Sequence, residues 1–208
     1  LDANTPLVAP SQGVLRNLVR IEPRLATLPS RVIPHGLSPW PAPVPAWQLP
    51  ARSGLRVLIA GRINDAKGSQ LLDPLLPVLG ARIEVVLAGC GAAGMDYFGK
   101  PRVHVLLDYK REALPELVAH LAPDIALLPS TVPETYSYTL SELWSLRVPV
   151  LAPRLGALGE RIADGVTGLL AEPNAQAIAE RLNGLLCDRS VLDRLRTIKP
   201  YIATVESM

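Results

Sequence analysis

Two glutamates, Glu134 and Glu142, are the residues of this chain whose type and spacing best suit a polar ligand. A helix that begins near Tyr138 would point its free N–H groups, around residues 137–140, at an anion. Glu142 would lie about 6 Å along that helix, and Glu134 would lie in the loop before it. Because carboxylates bind vicinal hydroxyls and repel phosphate, this suits a ligand with phosphates between two hydroxyl-bearing groups. On spacing alone, an equally good interpretation is that Glu134 favours the helix start and Glu142 is solvated.

Two cations, Arg62 and Lys67, flank a loop that follows an apolar segment. A planar guanidinium and an ammonium group could together hold a pyrophosphate. The loop is not a Walker-type loop, because Lys67 precedes Gly68, whereas that motif requires Gly-Lys-Ser or Gly-Lys-Thr. Taken in isolation, the two cations have the alternative interpretation that they only solvate a surface turn.

Three glycines, Gly89, Gly91 and Gly94, form a G-x-G-x-x-G pattern after a second apolar segment. In a dinucleotide-binding protein this pattern opens a helix of several turns. Here Gly99 and Pro101 interrupt the segment, so a Rossmann dehydrogenase is disfavoured. Either the glycines let the backbone approach a ligand closely or they form a tight connection.

Short apolar runs alternate with longer amphipathic stretches, which is the pattern of βα units around a parallel sheet. The expected strands span residues 56–60, 83–88, 103–107, 125–129, 148–152 and 168–171. The expected helices span residues 67–79, 111–121, 138–146, 156–163, 174–187 and 189–198. We therefore predict a doubly wound α/β domain with a Rossmann-like parallel sheet. Ligands bind beyond the carboxyl ends of such strands, so the loops after the first four should open onto one crevice.

The first fifty residues differ from this pattern. They predict a strand at 7–9, a helix at 12–20 and a strand at 31–33, followed by prolines at 39, 41, 43, 45 and 50. No regular element tolerates that density of proline. Because the chain begins with Leu1, we interpret residues 1–52 as the end of a preceding domain and a hinge. Residues 53–199 are then the ligand-binding domain, and 200–208 are a tail with a frayed end.

Composition excludes several classes of protein. With 208 residues and 49% hydrophobic content the chain can bury a core, which excludes a disordered or fibrous protein. Its 21 basic and 19 acidic side chains form no dense basic tract, so no nucleic-acid partner is expected. Cys90 and Cys187 predict neither a zinc site nor a disulfide framework, which fits the cytoplasm. No apolar run approaches the ~20 residues of a membrane span, and no signal segment is expected.

The ordered motifs at matching strand ends resemble glycosyltransferase family 4, the retaining GT-B enzymes that use nucleotide-diphosphate sugars. The resemblance runs from about residue 7 to residue 187. Its parts are Val8-Ala9-Pro10-Ser11, Val32-Ile33-Pro34-His35-Gly36, Gly61-Arg62 with Lys67-Gly68, Glu134 with Glu142, and residues 156–160 leading into Asp164-Gly165-Val166-Thr167-Gly168. The chain would then be the C-terminal, donor-binding half of such an enzyme.

The resemblance also implies roles for the candidate residues. Arg62 and Lys67 would hold the diphosphate, Glu142 the ribose and Glu134 the donor sugar, with Arg62, Lys67 and Glu134 as the catalytic set. Backbone near Tyr109 and Lys110 would contact the base. The donor-binding set is Gly61, Gly89, Gly91, Tyr109, Lys110, Tyr136, Ser137, Tyr138, Thr139, Leu140 and Glu142.

The implied reaction transfers a glycosyl group with retained anomeric configuration, while the cations and the helix N-terminus stabilise charge on the leaving diphosphate. The acceptor is a glycan, a lipid or another molecule, as in the synthesis of cell-surface polysaccharide. We expect no metal or other cofactor, because the sequence lacks an Asp-x-Asp motif. A missing preceding domain would hold the acceptor and could make peripheral membrane contact, so this piece should bind the donor without transferring it.

Five positions depart from the family pattern. The family usually has Gly at Ser137 and Arg147, small residues at Leu143 and Trp144, and a second Gly at Ala157. Ser137 and Ala157 would narrow the space near the phosphate and the sugar. The sequence is therefore compatible with an atypical donor or with reduced activity.

Two other functions share this fold. One is a sugar-nucleotide-binding module without chemistry, and the other is a GT-B sugar-nucleotide epimerase, against which the spacing of Glu134 and Glu142 argues. The three histidines, His35, His104 and His120, are interpreted as structural.

Overall fold

The computed structural model describes residues 5–65 and 67–205. The ends of the expected first and last segments, 1–4 and 206–208, and Ala66 of the Arg62 loop lie outside the described residues. Strands β1 (Leu7–Ala9) and β2 (Ser30–Val32) pair in parallel around helix α1 (Gln12–Ile21). The other strands form one larger sheet, namely β3 (Leu55–Ala60), β4 (Ile83–Ala88), β5 (Val103–Leu106), β6 (Ile125–Leu127), β7 (Val150–Pro153) and β8 (Leu169–Ala171).

The six-stranded sheet confirms the expected fold class. Its order is β5-β4-β3-β6-β7-β8, and all neighbouring strands are parallel. From β3 the chain builds outward to β5 and then returns to the other side of β3 at β6. This reversal is a topological switch point, where the loops after β3 and β6 diverge and leave a crevice.

Helices cover both faces of the sheet. They are α2 (Ser69–Leu75), α3 (Leu114–Leu121), α4 (Tyr138–Ser145), α5 (Gly156–Arg161), α6 (Ala175–Cys187) and α7 (Ser190–Thr197). The apolar side chains of β3 alternate between two cores, with Val57 and Ile59 facing α2, α6 and α7. Leu58 packs on the other face with residues of α3, α4 and α5. Burial on both faces is why these strands read as continuous apolar runs.

The observed boundaries differ from the expected ones where proline or glycine intervenes. Helix α2 begins after Gly68, whose φ of 112° is left-handed, and Leu76–Val78 continue as a 3₁₀ turn after Pro74. The expected start of the next helix, at Arg111–Ala113, is also a 3₁₀ turn. After the G-x-G pattern the chain forms a 3₁₀ helix, Ala92–Tyr97, which agrees with the argument against a dinucleotide fingerprint.

The proline-rich connector has no regular element, as expected, but its two tryptophans pack against the larger domain. Trp40 Nε1 donates to Ser145 Oγ at 3.1 Å, and Trp47 Nε1 donates to the Leu146 carbonyl at 3.1 Å. Both contacts lie at the C-terminal end of α4. The connector is therefore attached to the larger domain.

The described part of the tail is attached as well. The Leu37 N–H donates to the Ala203 carbonyl at 2.8 Å, and Ala203 is buried. Within the expected frayed end, residues 201–208, the backbone at Ala203 and Thr204 is thus paired with Leu37. Within the described ranges, none of the helices combines the length and apolarity needed to cross a bilayer.

Candidate functional site

A cleft of about 160 Å³ lies at the switch point of the sheet. It is lined by the ends of β3 and β6, the loops that follow them and the start of α4. Six of the expected site residues meet in it: Gly61, Arg62, Lys67, Glu134, Ser137 and Thr139. The cleft thus combines two cations, one carboxylate and a helix N-terminus.

A side-chain hydrogen bond and a close approach at a glycine join the two loops of the cleft. A Cβ at Gly68 would lie 2.7 Å from Cγ of Pro129, so only glycine lets the two loops approach this closely. Thr131 Oγ1 donates to the Asp65 carbonyl at 2.9 Å. The Lys67 N–H donates to Asn64 Oδ1 at 2.8 Å. The backbone of Lys67 is therefore fixed while its side chain remains exposed beside the cleft.

Glu134 is positioned by the start of α5, which the sequence argument did not identify. The Ala157 N–H donates to the Glu134 carbonyl at 2.9 Å. A Cβ at Gly156 would lie 2.7 Å from the carbonyl oxygen of Glu134 and 2.9 Å from its nitrogen. The glycine at this position is what allows α5 to contact the Glu134 backbone.

Helix α4 opens on the cleft without a side-chain cap. Its N-cap, Ser137, has a left-handed backbone with φ of 71° and ψ of 89°. Oγ1 of Thr139 faces the first loop, 3.9 Å from where a Cβ of Gly61 would stand. Leu140 is fully buried in the core, so only its N–H group serves the site. The first N–H groups of α4 are thus oriented as an anion site.

Arg161 fixes the backbone ahead of α4 and was also missed from the sequence. Its guanidinium donates to the carbonyls of Tyr136 and Ser137 at 2.7 and 2.9 Å and to Ser141 Oγ at 2.7 Å. It stacks 3.9 Å from the centroid of the Tyr136 ring. Burial lowers the pKa of Arg161, although interactions with Tyr136 and with the nearby glutamate of the cleft oppose that shift.

Tyr136 and Tyr138, two tyrosines of the expected donor-binding set, differ from each other in burial and contacts. Tyr136 is buried and its hydroxyl donates to the His35 carbonyl at 2.6 Å, so its side chain supports the loop and does not line the cleft. Tyr138 is 50% exposed and stacks on the His35 ring, with 5.3 Å between centroids. The interpretation of His35 as structural agrees with these contacts.

Glu142 forms an ion pair with Arg111. Nε of Arg111 donates to Oε1 of Glu142 at 2.7 Å, and the glutamate side chain is 13% exposed. The Arg111 guanidinium also lies over the Trp40 ring, 4.4 Å from its centroid. Burial, with a smaller contribution from Glu142, raises the pKa of Tyr109 to about 12. The pair joins residues 31 positions apart, which no local motif reveals.

Neighbouring side chains leave no room for a Cβ atom at two of the glycines after β4. Gly89 and Gly91 have φ angles of 71° and 69°. A Cβ at Gly89 would lie 2.6 Å from Cε1 of Tyr109, and one at Gly91 would lie 2.8 Å from Nη1 of Arg62. The side chains of Arg62 and Tyr109 therefore both lie against the glycine loop. Lys110 is exposed in the loop beside Tyr109.

Among residues 5–65 and 67–205, His, Cys, Asp and Glu side chains form no group of three that could hold a metal ion.

Comparisons with solved structures place this site in a known fold. HepE from Anabaena, in complex with UDP and glucose, superposes with a TM-score of 0.73 at 20% identity, over 96% of this chain and 59% of that one. Sucrose-phosphate synthase from Thermosynechococcus elongatus gives 0.72 at 19% identity, over 92% and 51% of the two chains. The fold is thus the Rossmann-like half of a GT-B glycosyltransferase, as expected.

Sequence comparisons agree. D-inositol 3-phosphate glycosyltransferase of Arthrobacter sp. (strain FB24) is 29% identical over 133 residues, which is 58% of this chain and 31% of that protein. The chain therefore spans less than two thirds of the length of each of these three proteins. A model of the family described as glycosyl transferases group 1 matches residues 54–188, a segment that contains every expected site residue. This chain belongs to the glycosyl transferases group 1 family.

Proposed function

We propose that the cleft binds a nucleotide-diphosphate sugar and that the chain is the donor-binding part of a retaining glycosyltransferase. The observation that carries the proposal is the meeting of Arg62, Lys67 and Glu134 in one cleft, in front of the uncapped start of α4. Two cations and a helix N-terminus select a diphosphate. A carboxylate beside them selects the hydroxyls of a sugar.

The remaining contacts support an order for the parts of the ligand. The diphosphate lies against Arg62, Lys67 and the N–H groups of α4, and the donor sugar extends toward Glu134. The nucleoside extends the other way, past the glycine loop, with its ribose at Glu142 and its base near Tyr109 and Lys110. Because Arg111 occupies one oxygen of Glu142, the other oxygen is the acceptor for ribose hydroxyls.

The same groups supply the chemistry. Negative charge gathers on the diphosphate as the bond between the sugar and the phosphate breaks. Lys67, Arg62 and the α4 N–H groups are already oriented toward that charge, so they stabilise the transition state more than the ground state. Glu134 holds the sugar hydroxyls while the anomeric carbon reacts. We propose that the reaction needs no metal ion.

UDP is the nucleotide we favour. Two of the structurally similar complexes contain UDP and a third contains UDP-glucose, all of Anabaena HepE. We propose that the acceptor, such as a growing cell-surface glycan or a lipid, is held by a preceding domain, and that this chain alone binds the donor without transferring it. The cysteines, Cys90 and Cys187, are free, which fits a cytoplasmic enzyme.

The decisive experiment uses the full-length protein. Turnover of a nucleotide-sugar panel is followed with an acceptor extract, and NMR reads the configuration of the new anomeric centre. We expect a glycosylated product with the configuration of the donor. An inverted product would refute the retaining mechanism. Donor binding without turnover would indicate a binding module, and conversion of the donor into its epimer would indicate an epimerase.

A further inference from the structure

A second charged cleft, of about 470 Å³, lies at the opposite end of the sheet from the donor cleft. We call it the arginine cleft, and its charged lining consists of Arg52, Arg56, Arg82, Arg102 and Glu84. Arg82 directly precedes β4 and Arg102 directly precedes β5. These are the amino ends of the strands, whereas the donor cleft lies beyond their carboxyl ends. The two clefts are therefore separate.

Two of the four arginines form the fixed floor of the arginine cleft. Arg56 donates to Oε2 of Glu84 at 3.2 and 3.3 Å and to the Leu121 carbonyl at 2.8 Å. Arg52 donates to the Ala122 carbonyl at 3.2 Å and has a side chain only 17% exposed. Both guanidinium groups thus have protein partners, although Nη1 of Arg52 is buried without a hydrogen bond. What Arg52 and Arg56 mainly supply to the cleft is positive charge, and they supply few free hydrogen-bond donors.

The other two arginines form its accessible walls. Arg82 is exposed, and one of its nitrogens, Nη1, donates to the Ser53 carbonyl at 3.2 Å. Its remaining N–H groups face solvent beside the cleft. Arg102 is exposed as well. These two side chains can present forked donors to a ligand.

Among the described residues, the arginines of the cleft outnumber the carboxylates that face them. Four arginines line it against the single carboxylate of Glu84. The buried carboxylate of Asp124, behind the floor, is shared by Arg52, 3.8 Å away, by Arg189 and by the Arg56 N–H. Burial, and then repulsion from Arg56, lowers the pKa of Arg52. An anion in this cleft would relieve the repulsion.

Backbone strain at Arg102 is an independent observation. Its φ of 61° lies in the left-handed region, where Gly or Asn is the favoured residue. Strained residues of this kind concentrate at functional sites.

We propose that the arginine cleft binds a phosphate-bearing anion, held by the forked donors of Arg82 and Arg102 over a floor charged by Arg52 and Arg56. Arginine matches phosphate in a bidentate geometry, and the cleft has room for a diphosphate. The phosphate is presented either by a soluble ester or by a lipid headgroup. The inference does not depend on what the donor cleft binds.

The test measures pyrophosphate binding by calorimetry in an Arg62→Ala/Lys67→Ala background, which removes the cations of the donor cleft. Adding Arg82→Ala and Arg102→Ala should weaken the affinity by about tenfold or more, because two charge-assisted contacts are lost. The matched control adds Arg20→Ala and Arg31→Ala, two exposed arginines outside the cleft, and should change it less than about twofold. The proposal is overturned if both pairs of substitutions weaken pyrophosphate binding equally, or if neither pair weakens it.

A second measurement separates the two sources of phosphate. Phosphatidylcholine vesicles with and without phosphatidic acid are sedimented with the protein, in the presence and absence of inorganic phosphate. Binding that needs phosphatidic acid and is lost in Arg82→Ala/Arg102→Ala assigns a headgroup ligand. Calorimetric binding without vesicle binding assigns a soluble one. Absence of both kinds of binding in the folded Arg62→Ala/Lys67→Ala protein, which keeps all four arginines of the cleft, refutes the site.

Discussion

The contact between α5 and the Glu134 loop makes Gly156→Ala the sharpest perturbation of the site. The new Cβ would meet three backbone atoms, which are the carbonyl oxygen and nitrogen of Glu134 at 2.7 and 2.9 Å and Cα of Pro133 at 2.9 Å. No flexible side chain can move aside to relieve these contacts. The loop that carries Glu134 must therefore shift.

The expected magnitude has two parts. The φ of 47° at Gly156 is left-handed, so alanine there costs about 1–2 kcal/mol of strain. Overpacking adds about 1–3 kcal/mol. Gly165→Ala is the matched control, because Gly165 has a φ of 75° and nothing lies within 4 Å of a Cβ placed there. Gly165→Ala should therefore destabilise the protein only by the cost of the left-handed strain.

The assay compares the affinity of each variant for the free nucleotide diphosphate and for its sugar conjugate. Gly156→Ala should bind the free nucleotide almost normally, because the residues that hold the diphosphate are unchanged. It should lose the additional affinity that the sugar provides. Turnover in the full-length enzyme should fall by up to about a hundredfold, as expected for a misplacement of about 1 Å. If Gly156→Ala and Gly165→Ala behave alike in binding and turnover, Glu134 does not have the role assigned to it.

Three further predictions concern stability. Ser137→Gly should raise the free energy of unfolding by roughly 0.5–1 kcal/mol, because glycine relieves the strain of the left-handed backbone by more than it increases the flexibility of the unfolded chain. A lower free energy of unfolding, measured by urea denaturation, would contradict this. Asp124→Ala should lower the free energy of unfolding by about 3–5 kcal/mol, because the partly buried Arg189 and Arg52 lose the buried carboxylate that is their counter-charge. A loss below about 1 kcal/mol would argue against that network. Stability should also fall between pH 10 and pH 12. Burial raises the pKa of Tyr97 and of Tyr109 to about 12, whereas the unfolded chain releases these protons near pH 10. Tyr97→Phe/Tyr109→Phe should flatten that decline, and an unchanged slope would exclude these two groups as its cause.

The sheet and the position of the cleft were predictable because each depends on a repeating local pattern. Strand β4 was expected at its observed bounds, since its residues are apolar on both faces and are followed at once by Gly89. Parallel strands then place their loops at one edge, so Arg62 and Glu134 were expected to meet although 72 positions separate them. That part of the site follows from topology alone.

The supporting contacts were not predictable because they join distant residues without a pattern. Nothing local indicates that Arg111 pairs with Glu142, or that Arg161 lies under the loop before α4. The docking of Trp40 and Trp47 was missed for the same reason, since a proline-rich segment predicts an absence of regular structure but not what the segment packs against. Such contacts depend on tertiary geometry.

The central claim is that Arg62 and Lys67 hold the diphosphate of a sugar nucleotide while Glu142 holds its ribose. Thermal shift with UDP, GDP, ADP and their sugars first identifies the preferred nucleotide. Calorimetry with that nucleotide then compares Lys67→Ala and Glu142→Ala with Lys199→Ala, which removes an exposed lysine outside the cleft. We predict that each site variant binds about tenfold more weakly, because each loses a hydrogen bond to a charged group, while Lys199→Ala binds like the unsubstituted chain. Unchanged affinity in both site variants would contradict the assignment of the cleft.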